Sequence, residues 1–345
     1  MNKIRTLKQK RDAISSMVGW FLILIMLASA TVIILLGTQE AVTERKNESR
    51  TGAMGKTFEE FDKNINDLLP SSPTSGKTEI AIDSGHINVD SKGDRIAVMY
   101  TYNDAFDFTV DGIENINFDD NAQDIEDSLT ININAPAIDT VTKYPGDDHK
   151  DTTKLSSGSG VLIQLRHIEY PLDTATGDPD PANEDVSFGC IWIFDLGRLT
   201  YETSVTEGGV QRVIYENCAV IKDDTKKSNI EYSSNIENEA NDAIQLSVGL
   251  IRGDDVTVSG GGVYNTEFEV FNNYVRNKVN TEVYNLKIMI TGDYTDTWYD
   301  YLTNPVRTYT FTQPTGEDYL LFNNGAKTNL VFSTYVIKIN DIHVS

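Results

Sequence analysis

NLVFSTYVIKIND, residues 329–341, packs Val, Ile, Leu, Phe, Tyr and Thr into one short run ending in Asn-Asp. β-Branched and aromatic side chains suit a half-buried pleated surface, so this stretch reads as a strand. Fifteen further runs of this kind follow Pro73, among them RIAVMYTY (95–102), GVLIQLRHIEY (160–170), RLTYETSV (198–205), VQRVIYENCAVI (210–221) and AIQLSVGLI (243–251). Turn-forming residues punctuate them. Sixteen short runs without intervening long helices predict a mainly antiparallel sheet or sandwich and exclude a βαβ fold. No repeat of fixed period is present, which argues against a solenoid or propeller. One or two helices are expected among the strands, at 229–243 and at 295–302 (TDTWYDYL).

The remaining question lies upstream, in RDAISSMVGWFLILIMLASATVIILLG, residues 11–37. Lys3, Arg5, Lys8, Lys10 and Arg11 precede it against one acid, Asp12, and no charged side chain occurs from Ala13 to Gln39. About twenty apolar residues suffice to span a bilayer, and a basic stub before an acidic body fits an N-terminus in the cytoplasm. Three readings compete: a secretory signal cut after Ala28-Ser29-Ala30, an uncleaved anchor, or a retained assembly helix. The continuation Val32-Ile33-Ile34-Leu35-Leu36 argues against the first, because a signal peptide's apolar core is short and then turns polar. Farther on, Phe58, Phe61, Ile65, Leu68 and Leu69 recur at helical spacing, and Pro70 and Pro73 end that amphipathic segment.

The order Ala13-Ile14-Ser15-Ser16-Met17-Val18-Gly19 resembles the start of archaeal type IV pilins, where a basic leader (a class III signal peptide) precedes a Val-Ser-Pro-Val-Ile-Gly-like segment and a long apolar helix. Ser15 and Gly19 match directly; Ser16 stands where the family often has Pro. The resemblance implies that a prepilin peptidase cuts between Ala13 and Ile14. It also implies an assembly helix carrying Ser15, Gly19, Trp20 and Leu36, with other pilin-like subunits, the pilus assembly machinery and the lipid bilayer as partners. Tyr215-Glu-Asn-Cys-Ala-Val220, the glycines 260–262 and Trp298 with Tyr301 look like features of archaeal pilin-like surface proteins of unassigned function.

The expected fold is therefore α+β: a long N-terminal transmembrane or pilin-type helix, then a mainly antiparallel β-sheet or β-sandwich ectodomain outside the cell. Its segments are a leader (1–13), a transmembrane or assembly helix (14–37), a juxtamembrane amphipathic helix and linker (38–73) and a β-rich extracytoplasmic domain (74–345). The expected function is a non-enzymatic minor pilin or pseudopilin subunit of a surface filament. The alternative is a monomeric, single-pass anchored surface binding protein.

Composition supports a folded, non-nucleic-acid-binding chain. Of 345 residues, 39% are hydrophobic and 9% aromatic, richer than disordered chains. The 52 acidic against 29 basic residues give a net charge of −23, which repels phosphate backbones. Cys190 and Cys218 are the only cysteines, either one disulfide or two buried thiols. His86, His149, His167 and His343 are scattered, and no HExxH, GxSxG, P-loop or dinucleotide fingerprint occurs, so neither an enzyme nor a cofactor is indicated. The acidic loops at 111–127 and 173–185 offer oxygen ligands of the kind calcium takes, without EF-hand spacing, and solvated loops are the alternative. Asn47-Glu48-Ser49 is a glycosylation sequon.

Overall fold

The computed structural model describes residues 2–71, 73–104, 106–134, 142–143, 150–155, 160–169, 184–204, 209–224, 227–234, 236–239, 243–254, 256–271, 279–306 and 311–344. In chain order the first strands are β1 (Thr74–Ile82), β2 (His86–Asp90), β3 (Arg95–Thr101), β4 (Asp107–Asp111), β5 (Thr130–Asn134), β6 (Thr142–Lys143) and β7 (Lys150–Lys154). Next come β8 (Gly160–Glu169), β9 (Glu184–Asp195), β10 (Arg198–Ser204), β11 (Val210–Glu216), β12 (Ala219–Asp223), β13 (Ser228–Ser233) and β14 (Ile236–Glu239). The last are β15 (Ala243–Arg252), β16 (Thr257–Ser259), β17 (Gly262–Phe271), β18 (Val279–Thr291), β19 (Phe311–Thr312), β20 (Leu320–Phe322) and β21 (Thr328–Val344). The helices are α1 (Asn2–Leu68), α2 (Ala122–Asp127) and α3 (Thr295–Leu302).

A large curled sheet runs β1-β17-β21-β18-β3-β9-β8-β6. A second sheet runs β13-β12-β11-β10-β2-β16, and β4 pairs with β5. The pairings are antiparallel except β15 beside β21, which is parallel from Ala243↔Asn329 to Arg252↔Lys338. β3 shows why its sequence is a continuous apolar run. Ile96 and Val98 enter a core shared with the second sheet and α3, whereas Ala97 and Met99 enter one capped by β4, β5 and α2. A strand covered on both faces has no solvent side to make polar.

From Asn47 onward α1 lays one stripe on the body: Met54, Phe58, Phe61 and Ile65 are buried with Ile80 and Phe268 of the large sheet and Tyr215 and Val220 of the second. The i, i+3, i+4 spacing places them on one helical face. Phe61 meets Tyr215 and Phe268 edge-on at 5.2 and 4.9 Å. Leu69–Ser71 closes the helix as a single 3₁₀ turn at Pro70.

Several expectations are corrected. The fold is mainly β rather than α+β: strands hold 52% of the chain, and α1 adds only one stripe to one of the three cores. Among the described residues, no helix is long and apolar enough to cross a membrane. The single-pass topology, with residues 14–37 in the bilayer, a cytoplasmic N-terminus and an external domain, is thus not supported. The helix expected at 229–243 is instead β13 and β14, because Ile230 and Ile236 are drawn into the core beside Ile221 and Leu246. The single run 210–221 is a hairpin: Asn217 and Cys218 take positive φ (47° and 59°), the two-residue turn whose twist matches its strands. The helix expected at 295–302 is α3, with Trp298 buried.

Candidate functional site

Between Val18 and Leu35 the described side chains of α1 are exposed without exception, including Trp20 (68%), Phe21 (66%), Met26 (73%) and Ile33 (71%). Successive helical residues turn by about 100°, so exposure of every consecutive residue makes an apolar collar with no polar side. Its two hydroxyls do not interrupt it. Ser29 Oγ donates to the Ile25 carbonyl and Thr31 Oγ1 to the Leu27 carbonyl, each at 2.8 Å. What the collar presents outward is hydrocarbon, far more than a monomer ordinarily leaves in contiguous contact with water. Trp20 belongs to it. Ala13, Ile14, Ser15, Gly19 and Leu36 continue the same helix, but their side chains lie outside the described residues.

The collar is joined to the body through a buried clasp. Asp62, fully buried on the stripe of α1, receives hydrogen bonds from Tyr215 Oη (2.6 Å), Ser234 Oγ (2.7 Å), Tyr232 Oη (3.0 Å) and Asn66 Nδ2 (3.0 Å). Burial pushes its carboxyl above the ordinary range, and the four donors act in the other direction. Nearby, the Cys218 thiol contacts the Tyr335 hydroxyl. At the upper end of the stripe, Arg50 reaches Asp83 in the β1–β2 turn with Nε at 2.8 Å and Nη2 at 2.7 Å.

A buried acidic pair lies under α3. Glu216 Oε2 accepts from the Asp94 N–H at 3.0 Å and Oε1 from Trp298 Nε1 at 3.4 Å, while Asp94 accepts from the Asp293 and Tyr294 N–H groups at 2.9 Å each. These bonds hold the turn between β18 and α3. Burial first, and the neighbouring Asp94 next, push Glu216 up to about 8; burial raises Asp94 as well. The folded chain therefore keeps a proton on Glu216 that the unfolded chain has lost above its ordinary 4.5. Stability from this group is complete below about 4.5 and is lost as pH rises to about 8, with a limiting slope of about 1.4 kcal/mol per pH unit. Urea unfolding from pH 5 to 9 should show that decline in the wild type and only the residual Asp94 dependence in Glu216→Gln. Equal slopes in the two proteins would refute the assignment.

Cys190 and Cys218 are free and buried, in different core clusters, so no disulfide joins them. Asn47 is 1% exposed within α1, and its Oδ1 accepts from Arg50 Nη1 at 3.2 Å, a placement unlike an exposed acceptor loop. In the 111–127 loop the polar groups serve local structure. Asn121 caps α2 by accepting from the Asp124 N–H at 3.1 Å, and Asn117 Nδ2 donates to Asp120 at 3.0 Å. No cluster of three His, Cys, Asp or Glu able to hold a metal ion is found among the described residues. The loop at 173–185 lies outside the described residues up to Glu184, as does His149. Asp62 and Asp94 were not singled out in the sequence, and Glu216 only as part of the segment 215–220. Their partners are remote in the chain, and only an acid set within an apolar stripe or strand signals them. No protein-family model matches the chain, and no characterised protein matches it significantly.

Proposed function

We propose that this chain is a non-enzymatic filament subunit of the archaeal type IV pilin kind, in a minor or pseudopilin role. The α1 collars of several copies pack together and the β-rich body faces outward. The observation that carries this reading is the collar: hydrocarbon on every side of a helix whose later turns, from Asn47 onward, are fastened to a folded body. Apolar surface of that extent calls for a cover, and a helix apolar all round suits a site among other helices. Contacts that repeat from copy to copy without closing generate a filament.

The other partners are a prepilin peptidase, other pilin-like subunits and their assembly machinery; the acidic charge speaks against nucleic acid. Removal of residues 1–13 has a physical purpose in this reading, because it discards five basic side chains that would otherwise sit at the end of an apolar bundle. Mass spectrometry of the mature chain should find Ile14 at its N-terminus. A retained Met1, or a chain beginning at Thr31, would overturn the proposal.

A further inference from the structure

We infer that the open β16–β2–β10 part of the second sheet, on the face opposite α1, binds a neutral polyhydroxylated ligand, one sugar unit of a glycan. Alternation along β2 and β10 sends Ile87, Val89, Leu199 and Tyr201 inward toward α1, which leaves the other face to polar side chains. That face forms a cleft of about 350 Å³, within the range of small-molecule sites. Such sites are ordinarily apolar with a few polar groups. This one is polar nearly throughout, so its occupant must offer hydrogen bonds rather than hydrocarbon.

The strand register arranges the polar groups in three rows. Across the floor, Thr257, Asn88 and Thr200 stand opposite one another on β16, β2 and β10, at strand spacings of about 4.8 Å. This row is uncharged. On one side, Asp90 faces Arg198, whose Nε is 3.4 Å from Asp90 and whose Nη1 is 2.8 Å from Asp293. On the other, His86 faces Glu202, which faces Arg212 at 2.9 Å, and Arg212 also reaches Asp223 at 3.4 Å. Both guanidinium groups are thus engaged by carboxylates, and the three that line the cleft, Asp90, Glu202 and Asp293, leave its walls with one negative charge in excess.

This charge pattern selects the ligand class. An anion would have to displace a carboxylate from Arg198 or Arg212, and a cation would have to take a carboxylate from its arginine. A neutral polyol needs neither. It meets alternating donors and acceptors, two of which are unspent. Thr257 Oγ1 donates to Asn88 Oδ1 at 3.1 Å, while among the described residues Asn88 Nδ2 and Thr200 Oγ1 have no partner. The face is turned away from α1. The inference stands on the cleft alone and does not depend on filament formation.

The test is saturation-transfer NMR on the full chain, dispersed in a polyoxyethylene detergent that carries no sugar headgroup. The probes are the methyl glycosides of glucose, galactose, mannose and N-acetylglucosamine, with inorganic phosphate followed by phosphorus line width as the anionic arm. At least one glycoside should receive saturation, and its signal should fall at least fivefold in both Asn88→Ala and Thr200→Val, each checked for an unchanged urea midpoint. Silence from all four glycosides, signals unchanged in either folded variant, or binding of phosphate alone would overturn the assignment.

Discussion

Replacing Asp62 with Ala should lower the stability of the folded chain by about 3 kcal/mol, measured as the change in urea unfolding free energy. The carboxylate is the shared acceptor for four donors, and Tyr215 is itself fully buried. A buried donor stripped of its acceptor costs about 1–3 kcal/mol, so the fully buried Tyr215 accounts for most of the loss and the half-buried Ser234 for less. Tyr232, half-buried, can turn to water. Removing Asp62 also relieves the cost of burying a carboxylate, which keeps the total below the plain sum of lost bonds. A double-mutant cycle separates these contributions. With Tyr215→Phe already in place, Asp62→Ala should cost at least 1 kcal/mol less, because the hydroxyl that needed the acceptor is gone. A loss under 0.5 kcal/mol for Asp62→Ala, or strict additivity with Tyr215→Phe, would show that the clasp does not fasten the helix.

Asp62 also marks the limit of what the sequence discloses. Phe58, Phe61 and Ile65 announce their face by spacing alone, since the helical period is a local property and the stripe needs only some apolar surface to meet. The acid between Phe61 and Lys63 gives no such signal. Its partners stand at 215, 232 and 234, brought together by the pairing of β11, β12 and β13. The same distinction explains the fold. Short apolar runs reported strands well, and α3 was legible from 295 to 302, whereas the segment 229–243 has no breaker and reads as helix until tertiary contacts with Ile230 and Ile236 decide for strand. The parallel pairing of β15 with β21 joins segments 86 residues apart and leaves no mark in either run. The polar cleft was half-legible: HINVD and RLTYETS alternate visibly, but their register, which sets Asn88 beside Thr200, is not a sequence property.

A charge placed in the collar should abolish self-association while leaving the body folded. Leu22 and Leu24 stand about 200° apart around α1, so Leu22→Asp with Leu24→Asp marks both sides of a helix whose packing partners surround it. Each leucine buried between copies contributes about 1.5–3 kcal/mol, and an unpaired carboxylate in the same place costs several more. A penalty of even 3 kcal/mol per contact lowers association more than a hundredfold, and a filament repeats that contact at every subunit. Neither leucine touches any of the three cores, so the urea midpoint should stay within experimental scatter of the wild type. Leu22→Ala with Leu24→Ala separates charge from size, because it removes apolar area without adding a group that demands water. It should weaken association measurably and leave some assembly at high concentration, as sedimentation after dilution out of detergent would read. Assembly of the double-aspartate chain at wild-type concentrations would mean that the collar is covered by something other than its own kind.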